Sequence, residues 1–173
     1  MAENPGAFAM VRGQATARFV LRGPLEAAGA AGAAFGVALP EQINRASASG
    51  ARAALMLGPD EWLLLADDAL AGAMQPELQA ALSALPSSLV DVSHRQTGLL
   101  LQGRAVTQVL NAAMPLDLAP EAFPTGMATR TLFDKSDIVL WRTGTDSFRL
   151  EVWRSFTPYV EALLQVFAKE AGR

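Results

Sequence analysis

Cysteine is absent from the 173-residue sequence, and histidine and tyrosine occur once each, as His94 and Tyr159. The missing cysteine excludes disulfides, thiolate catalysis and cysteine metal sites, and is compatible with a reducing cytoplasm. A lone histidine without cysteine leaves no ligand set for zinc. Charged residues are only 18 % of the chain and sum to −3 with both signs scattered, so no basic stripe is available for phosphates and nucleic acid is not an expected partner. No stretch reaches the roughly 20 uninterrupted apolar residues of a membrane span. The opening Met-Ala-Glu-Asn-Pro-Gly lacks the basic region and apolar run of a leader. The expectation is a soluble cytoplasmic chain.

Hydrophobic residues, by contrast, make up 51 %, enough for a sizeable core without covalent staples. Alternation predicts a strand over residues 15–22, stopped by Gly23-Pro24, and a helix follows from Leu25. Strands are expected at 43–48, 51–57 and 62–66, the last two joined by the turn Gly58-Pro59-Asp60-Glu61. A helix over 76–85 carries Leu78, Leu82 and Leu85, with Pro76 in its first turn. The second half reads as strands at 89–92 and 99–102, a helix over 104–113, and strands at 128–133, 137–142 and 148–153. In the last of these Phe148, Leu150 and Val152 alternate with Arg149 and Glu151, the pattern of a sheet with one wet face. Thr157 as cap and Pro158 as first helical residue then open a C-terminal helix presenting Val160, Leu163, Leu164 and Phe167.

The two halves repeat each other. Phe19-Val20-Leu21-Arg22-Gly23 precedes a helix, as does Leu99-Leu100-Leu101-Gln102-Gly103, and the run 54–65 matches 138–149 as strand, turn and aromatic-led strand. The expected organisation is α+β with antiparallel sheets. Residues 1–14 form a tail or edge strand, 15–87 a first repeat and 88–173 a second, paired as one pseudo-symmetric domain that buries the exposed sheet faces.

Candidate chemistry centres on the seam, where Asp91, Ser93 and His94 suggest a hydrolase. Strand neighbours alternate faces, so Asp91 and Ser93 share one side and His94 takes the other, and no Gly-x-Ser-x-Gly elbow surrounds Ser93. No P-loop or Gly-x-Gly-x-x-Gly follows any strand, which disfavours a dinucleotide site. Twelve of the fourteen basic residues are arginine, and Arg130, Arg142, Arg149 and Arg154 fall on or beside strands of the second half. Arginine suits carboxylate recognition and interfaces as well as a solvated face with local ion pairs. Trp141, Trp153, Phe156 and Tyr159 lie near them and read first as core or core edge, second as interface.

Several blocks, in order, resemble the gamma subunit of heterotetrameric sarcosine oxidase. They are Leu57-Gly58-Pro59-Asp60-Glu61-Trp62-Leu63-Leu64, Asp91-Val92-Ser93-His94-Arg95-Gln96, Pro115-Leu116-Asp117-Leu118, the stretch 123–131, Ile138-Val139-Leu140-Trp141-Arg142, and the stretch 146–156. The resemblance implies a subunit related to the folate-binding domain of aminomethyltransferases, itself a duplication of β2-α-β3-α halves. It further implies a complex that oxidises sarcosine to glycine, passing the one-carbon unit to tetrahydrofolate or releasing it as formaldehyde, with hydrogen peroxide formed. FAD, FMN, NAD, zinc and tetrahydrofolate would then belong to the other subunits, alpha, beta and delta the partners, and this chain would be non-catalytic. No catalytic, cofactor or metal residue is carried over, and the chemistry above singles out Arg142, Arg149, Trp153 and Arg154 as interface residues. The alternatives are a stand-alone folate-binding C1-transfer protein and, further off, a small hydrolase. An isolated chain with an uncovered apolar face is expected to self-associate.

Overall fold

A computed structural model describes residues 7–171. In chain order its elements are β1 (Ala9–Arg12), β2 (Thr16–Arg22), α1 (Leu25–Phe35), β3 (Ala46–Ser49), β4 (Arg52–Gly58) and β5 (Glu61–Asp67). There follow a single 3-10 turn (Asp68–Leu70), α2 (Ala71–Leu82), β6 (Ser88–Asp91), β7 (Gln96–Gln102), α3 (Val106–Asn111), β8 (Ala128–Phe133), β9 (Ser136–Gly144), β10 (Ser147–Trp153) and α4 (Thr157–Ala171). The strands form two five-stranded antiparallel sheets, in the orders β3-β4-β5-β2-β6 and β8-β9-β10-β7-β1. The α+β class with antiparallel sheets is as the sequence predicts.

Each sheet takes its fifth strand from across the seam. β6 opens the second half of the sequence yet pairs with β2, from Phe19↔Asp91 to Arg22↔Ser88. β1 opens the first half yet pairs with β7, from Ala9↔Gln102 to Arg12↔Leu99. The chain accordingly divides into a unit spanning Gln14–His94 and a second unit that joins the segment ending at Gly13 to the segment beginning at Arg95. Residues 88–94 thus lie with the first sheet, whereas the sequence reading placed them with the second. Short strands such as these bury little, with one half-covered residue each, so hydrophobic pattern does not choose their partner.

In the first unit, Phe19 and Leu21 of β2, Ala54 and Met56 of β4 and Trp62 and Leu64 of β5 project onto α1 and α2. Five small or aromatic residues of α1 (Ala27, Ala28, Ala31, Gly32 and Phe35) are buried, and the small ones permit close approach. A Cβ on Gly32 would stand 3.1 Å from the Val37 carbonyl oxygen, so any larger residue would require the following chain to give by a few tenths of an ångström. The helix stops at Gly36, whose φ of 75° gives the left-handed cap. Trp62 is fully buried and its indole N–H donates to the Pro40 carbonyl at 2.8 Å.

The helix over α2 starts five residues before Pro76, and Pro76 lies inside it. Upstream, the Asp67 carboxylate caps the 3-10 turn that runs into α2, accepting from the Ala69 N–H at 3.0 Å. β3 begins at Ala46, not 43, because Asn44 takes φ 63° and a turn precedes the ladder.

The second unit packs Leu99, Leu101, Leu140, Phe148 and Leu150 against α3 and α4, with Val160 and Leu164 fully buried. Its opposite face is buried at the centre of β9 and β10 and exposed towards its margins. Glu151 is 1 % exposed and its carboxylate accepts from Arg149 Nε and Nη2, both at 2.7 Å. Val139 on that face is 3 % exposed. Thr157 begins α4 with its hydroxyl donating back to the Trp153 carbonyl at 3.3 Å, so it fastens the preceding turn instead of capping forward N–H groups.

The crossing strand β1 is tied to α4 by a forked ion pair, Arg12 Nε to Glu161 Oε1 at 2.5 Å and Nη2 to Oε2 at 2.6 Å. The hydrogen bonds and charge of Arg12 hold the Glu161 carboxyl below its ordinary 4.5. A depressed folded pKa stabilises the fold above the unfolded value and is lost as pH falls through the folded one. Thermal melts from pH 7 to pH 3 should therefore show Glu161→Gln losing Tm at neutral pH while converging with the parent at acid pH; parallel curves would deny the pair this role.

Candidate functional site

The seam residues are built into the end of β6. The Asp91 carboxylate accepts from the Ser93 N–H at 2.8 Å and from the Ser93 hydroxyl at 2.6 Å. The Ser93 hydroxyl oxygen in turn accepts from the Arg18 backbone N–H at 2.9 Å, and the Arg18 guanidinium reaches the Ser93 carbonyl at 3.3 Å. The hydroxyl is thus used both as donor and as acceptor to fasten the chain to β2. His94 is exposed, and no hydrogen bond joins it to Ser93 among the described residues. A base that does not touch the hydroxyl cannot take its proton, so this group is a strand terminus and not a triad. Among the described residues no three His, Cys, Asp or Glu side chains are grouped to hold a metal ion.

The arginines separate into inner and outer sets. Arg142 is 3 % exposed and every hydrogen bond of its guanidinium goes to a backbone carbonyl. Nη1 donates to Leu118 at 3.1 Å and Phe123 at 2.8 Å, Nη2 to Thr145 at 2.7 Å, and Nε to Gly144 and Thr145 at 3.3 Å. It also stacks over Phe148 at 5.0 Å. The side chain pins the loop before β8 to the β9–β10 hairpin and has no face left for a partner. Arg149 is committed to Glu151 and is only 17 % exposed. Arg154 is exposed, as is Trp153 at 46 %. Of the four residues singled out for an interface, these two lie together at the surface, and Arg142 is an internal strut.

The rings contradict the core reading of the sequence: Phe156 and Tyr159 are 43 % and 39 % exposed, and only Trp141 is half-buried. Arg95, which the sequence reading did not single out, lies with its guanidinium 5.7 Å from the Trp153 ring centroid. The pairing Gln96↔Trp153 brings it there, a long-range register with no local signal.

Pairing also corrects the internal repeat. Leu21 and Leu101 face Trp62 and Phe148, and these face Met56 and Arg142 on the next strand. Met56 therefore corresponds to Arg142 and Ala54 to Leu140, two residues from the match of 54–65 with 138–149. A slip of two preserves every inward and outward position, so hydrophobic pattern is blind to it. The equivalent N–H groups of Gly23 and Gly103 both donate at 3.0 Å to the carbonyls of Asp60 and Asp146.

A duplicated α+β body is the class these observations define, with no catalytic triad or metal cluster among the described residues. Its fold matches glycine cleavage system aminomethyltransferase T from Bartonella henselae with a TM-score of 0.72 at 17 % identity, over 92 % of this chain and 45 % of that one. The family is narrower. Residues 23–170 match the sarcosine oxidase, gamma subunit family, and the chain belongs to it. Sarcosine oxidase subunit gamma of an Arthrobacter species is 40 % identical over 67 % of this chain, the match spanning 57 % of that protein's length. The subunit from Corynebacterium sp. strain U-96 is 37 % identical over 81 % of this chain and 70 % of its own. Heterotetrameric sarcosine oxidase from Corynebacterium sp. U-96, in complex with pyrrole 2-carboxylate, contains a chain that superposes with a TM-score of 0.90 at 30 % identity, over 99 % of this chain and 91 % of that one.

Two substitutions check the structural assignments. Arg142→Met, which installs the residue of the equivalent position, strands several buried carbonyls and should cost about 3 kcal/mol in urea unfolding. Ser93→Ala, which removes both hydrogen bonds of the hydroxyl, should cost about 2 kcal/mol by the same measurement.

Proposed function

We propose that this chain is a non-catalytic subunit of a heterotetrameric sarcosine oxidase and that its role is to assemble and stabilise the complex. The observation that carries the reading is the near-complete superposition on a chain of the Corynebacterium oxidase. Two further facts support it: the Ser93 hydroxyl is consumed by structure, and Arg142 is consumed by carbonyls. The reaction of such a complex oxidises the N-methyl group of sarcosine, releasing glycine while two electrons reduce oxygen to hydrogen peroxide. Water adds to the oxidised carbon to give formaldehyde, or tetrahydrofolate accepts the same carbon. FAD, FMN, NAD and zinc are assigned to the alpha, beta and delta partners, and the complex to the cytoplasm. Among the described residues no helix is long and apolar enough to cross a membrane.

The aminomethyltransferase-like fold favours one second reading, a stand-alone folate-binding C1-transfer protein. Co-expression of the tagged chain with the other subunits separates the two. Under the subunit reading a yellow complex co-purifies and makes peroxide only with sarcosine, while the chain alone is colourless and inert. A chain that purifies alone and binds tetrahydrofolate by titration calorimetry would instead establish the second.

A further inference from the structure

We infer that the exposed patch where β10 meets α4 docks a carboxylate-bearing surface of another subunit of the complex, with Trp153 and Phe156 as apolar anchors and Arg95 and Arg154 as its charged rim. The inference rests on the subunit reading above. Three large rings, Trp153, Phe156 and Tyr159, are 39–46 % exposed within seven residues, while Phe123, Phe133 and Phe148 of the same unit are at most 1 % exposed. The patch is held in shape by backbone bonds, Arg154 N–H to the Arg95 carbonyl at 3.0 Å and Phe156 N–H to the Trp153 carbonyl at 2.9 Å. The Tyr159 hydroxyl donates to the Asp134 carboxylate, which fixes the third ring at the margin. Ordered rings lose little conformational freedom on association, and rigid Trp, Tyr and Arg are the residues that carry interface energy.

Charge selects the occupant. Neither Arg95 nor Arg154 is in a salt bridge among the described residues, and Arg95 already lies over the Trp153 ring at 5.7 Å. On a chain of net charge −3 this is a local reversal of sign. A guanidinium over the Trp153 ring and a second exposed arginine next to that ring in sequence match carboxylates set around an apolar centre. A second copy of this chain is a poor fit, because a twofold contact through the patch would set the arginines against their own counterparts.

The test uses the full chain co-expressed with the other subunits. A benzophenone side chain in place of Phe156 should, on irradiation, give an adduct with another subunit. Arg95→Glu combined with Arg154→Glu should weaken association about tenfold or more while the melt of the isolated chain stays close to the parent. Arg154→Gln, which removes charge without reversing it, should give a smaller loss and a weaker salt dependence. Parent chain that assembles, together with cross-links only to a second copy or to nothing and unchanged association of the double variant, would overturn the docking surface and leave the subunit reading standing. Parent chain that does not assemble would overturn both.

Discussion

Each sheet is closed by a strand from the far side of the sequence seam, and the rest of the arrangement depends on that exchange. Without β6 the hydrogen-bonding edge of β2 is open, and without β1 the edge of β7 is open. An uncovered central strand is both unstable and a template for wrong pairing. The exchange also explains why a short, weakly buried strand such as β1 carries a forked arginine–glutamate pair to α4. Specific polar contacts supply the placement that hydrophobic pattern leaves undetermined.

Duplication and element type were legible in the sequence because both rest on periodicity. Alternation at Phe19 and Leu21, and again at Phe148, Leu150 and Val152, names the inward face wherever the strands pair. Pairing itself was not legible, since a shift of two residues leaves that face unchanged and the partners of β1 and β6 lie far along the chain. The start of α2 was not legible for a local reason: the helix follows directly on the 3-10 turn that Asp67 caps and has no side-chain cap of its own. At the seam the strand ends at Asp91, and Ser93 and His94 follow in a turn, so the Asp91–Ser93 bonds belong to the turn and strand alternation does not place these residues.

Arginine chemistry shows where residue type misleads. Ile138, Leu140 and Arg142 are in phase on β9, so alternation already aims Arg142 inward, and its counterpart Met56 is core. Guanidinium preference for carboxylates suggested an interface instead, yet backbone carbonyls of two loops satisfy it completely enough for burial. Trp153, on the other face in phase with Arg149 and Glu151 and two residues beyond the latter, reaches the end of the sheet and emerges. Position along the strand, not composition, separates the strut from the surface.

The exchange of strands also sets an order of events during synthesis. β1 leaves the ribosome well before its partner β7, which follows about ninety residues later, an interval on the order of 5–20 s at ordinary translation rates. The Gln14–His94 unit has all five of its strands once β6 has emerged, while β1 still has no β7 to pair with. β1 is thus made well before it can find its place, and its brevity limits what it can attract while it waits.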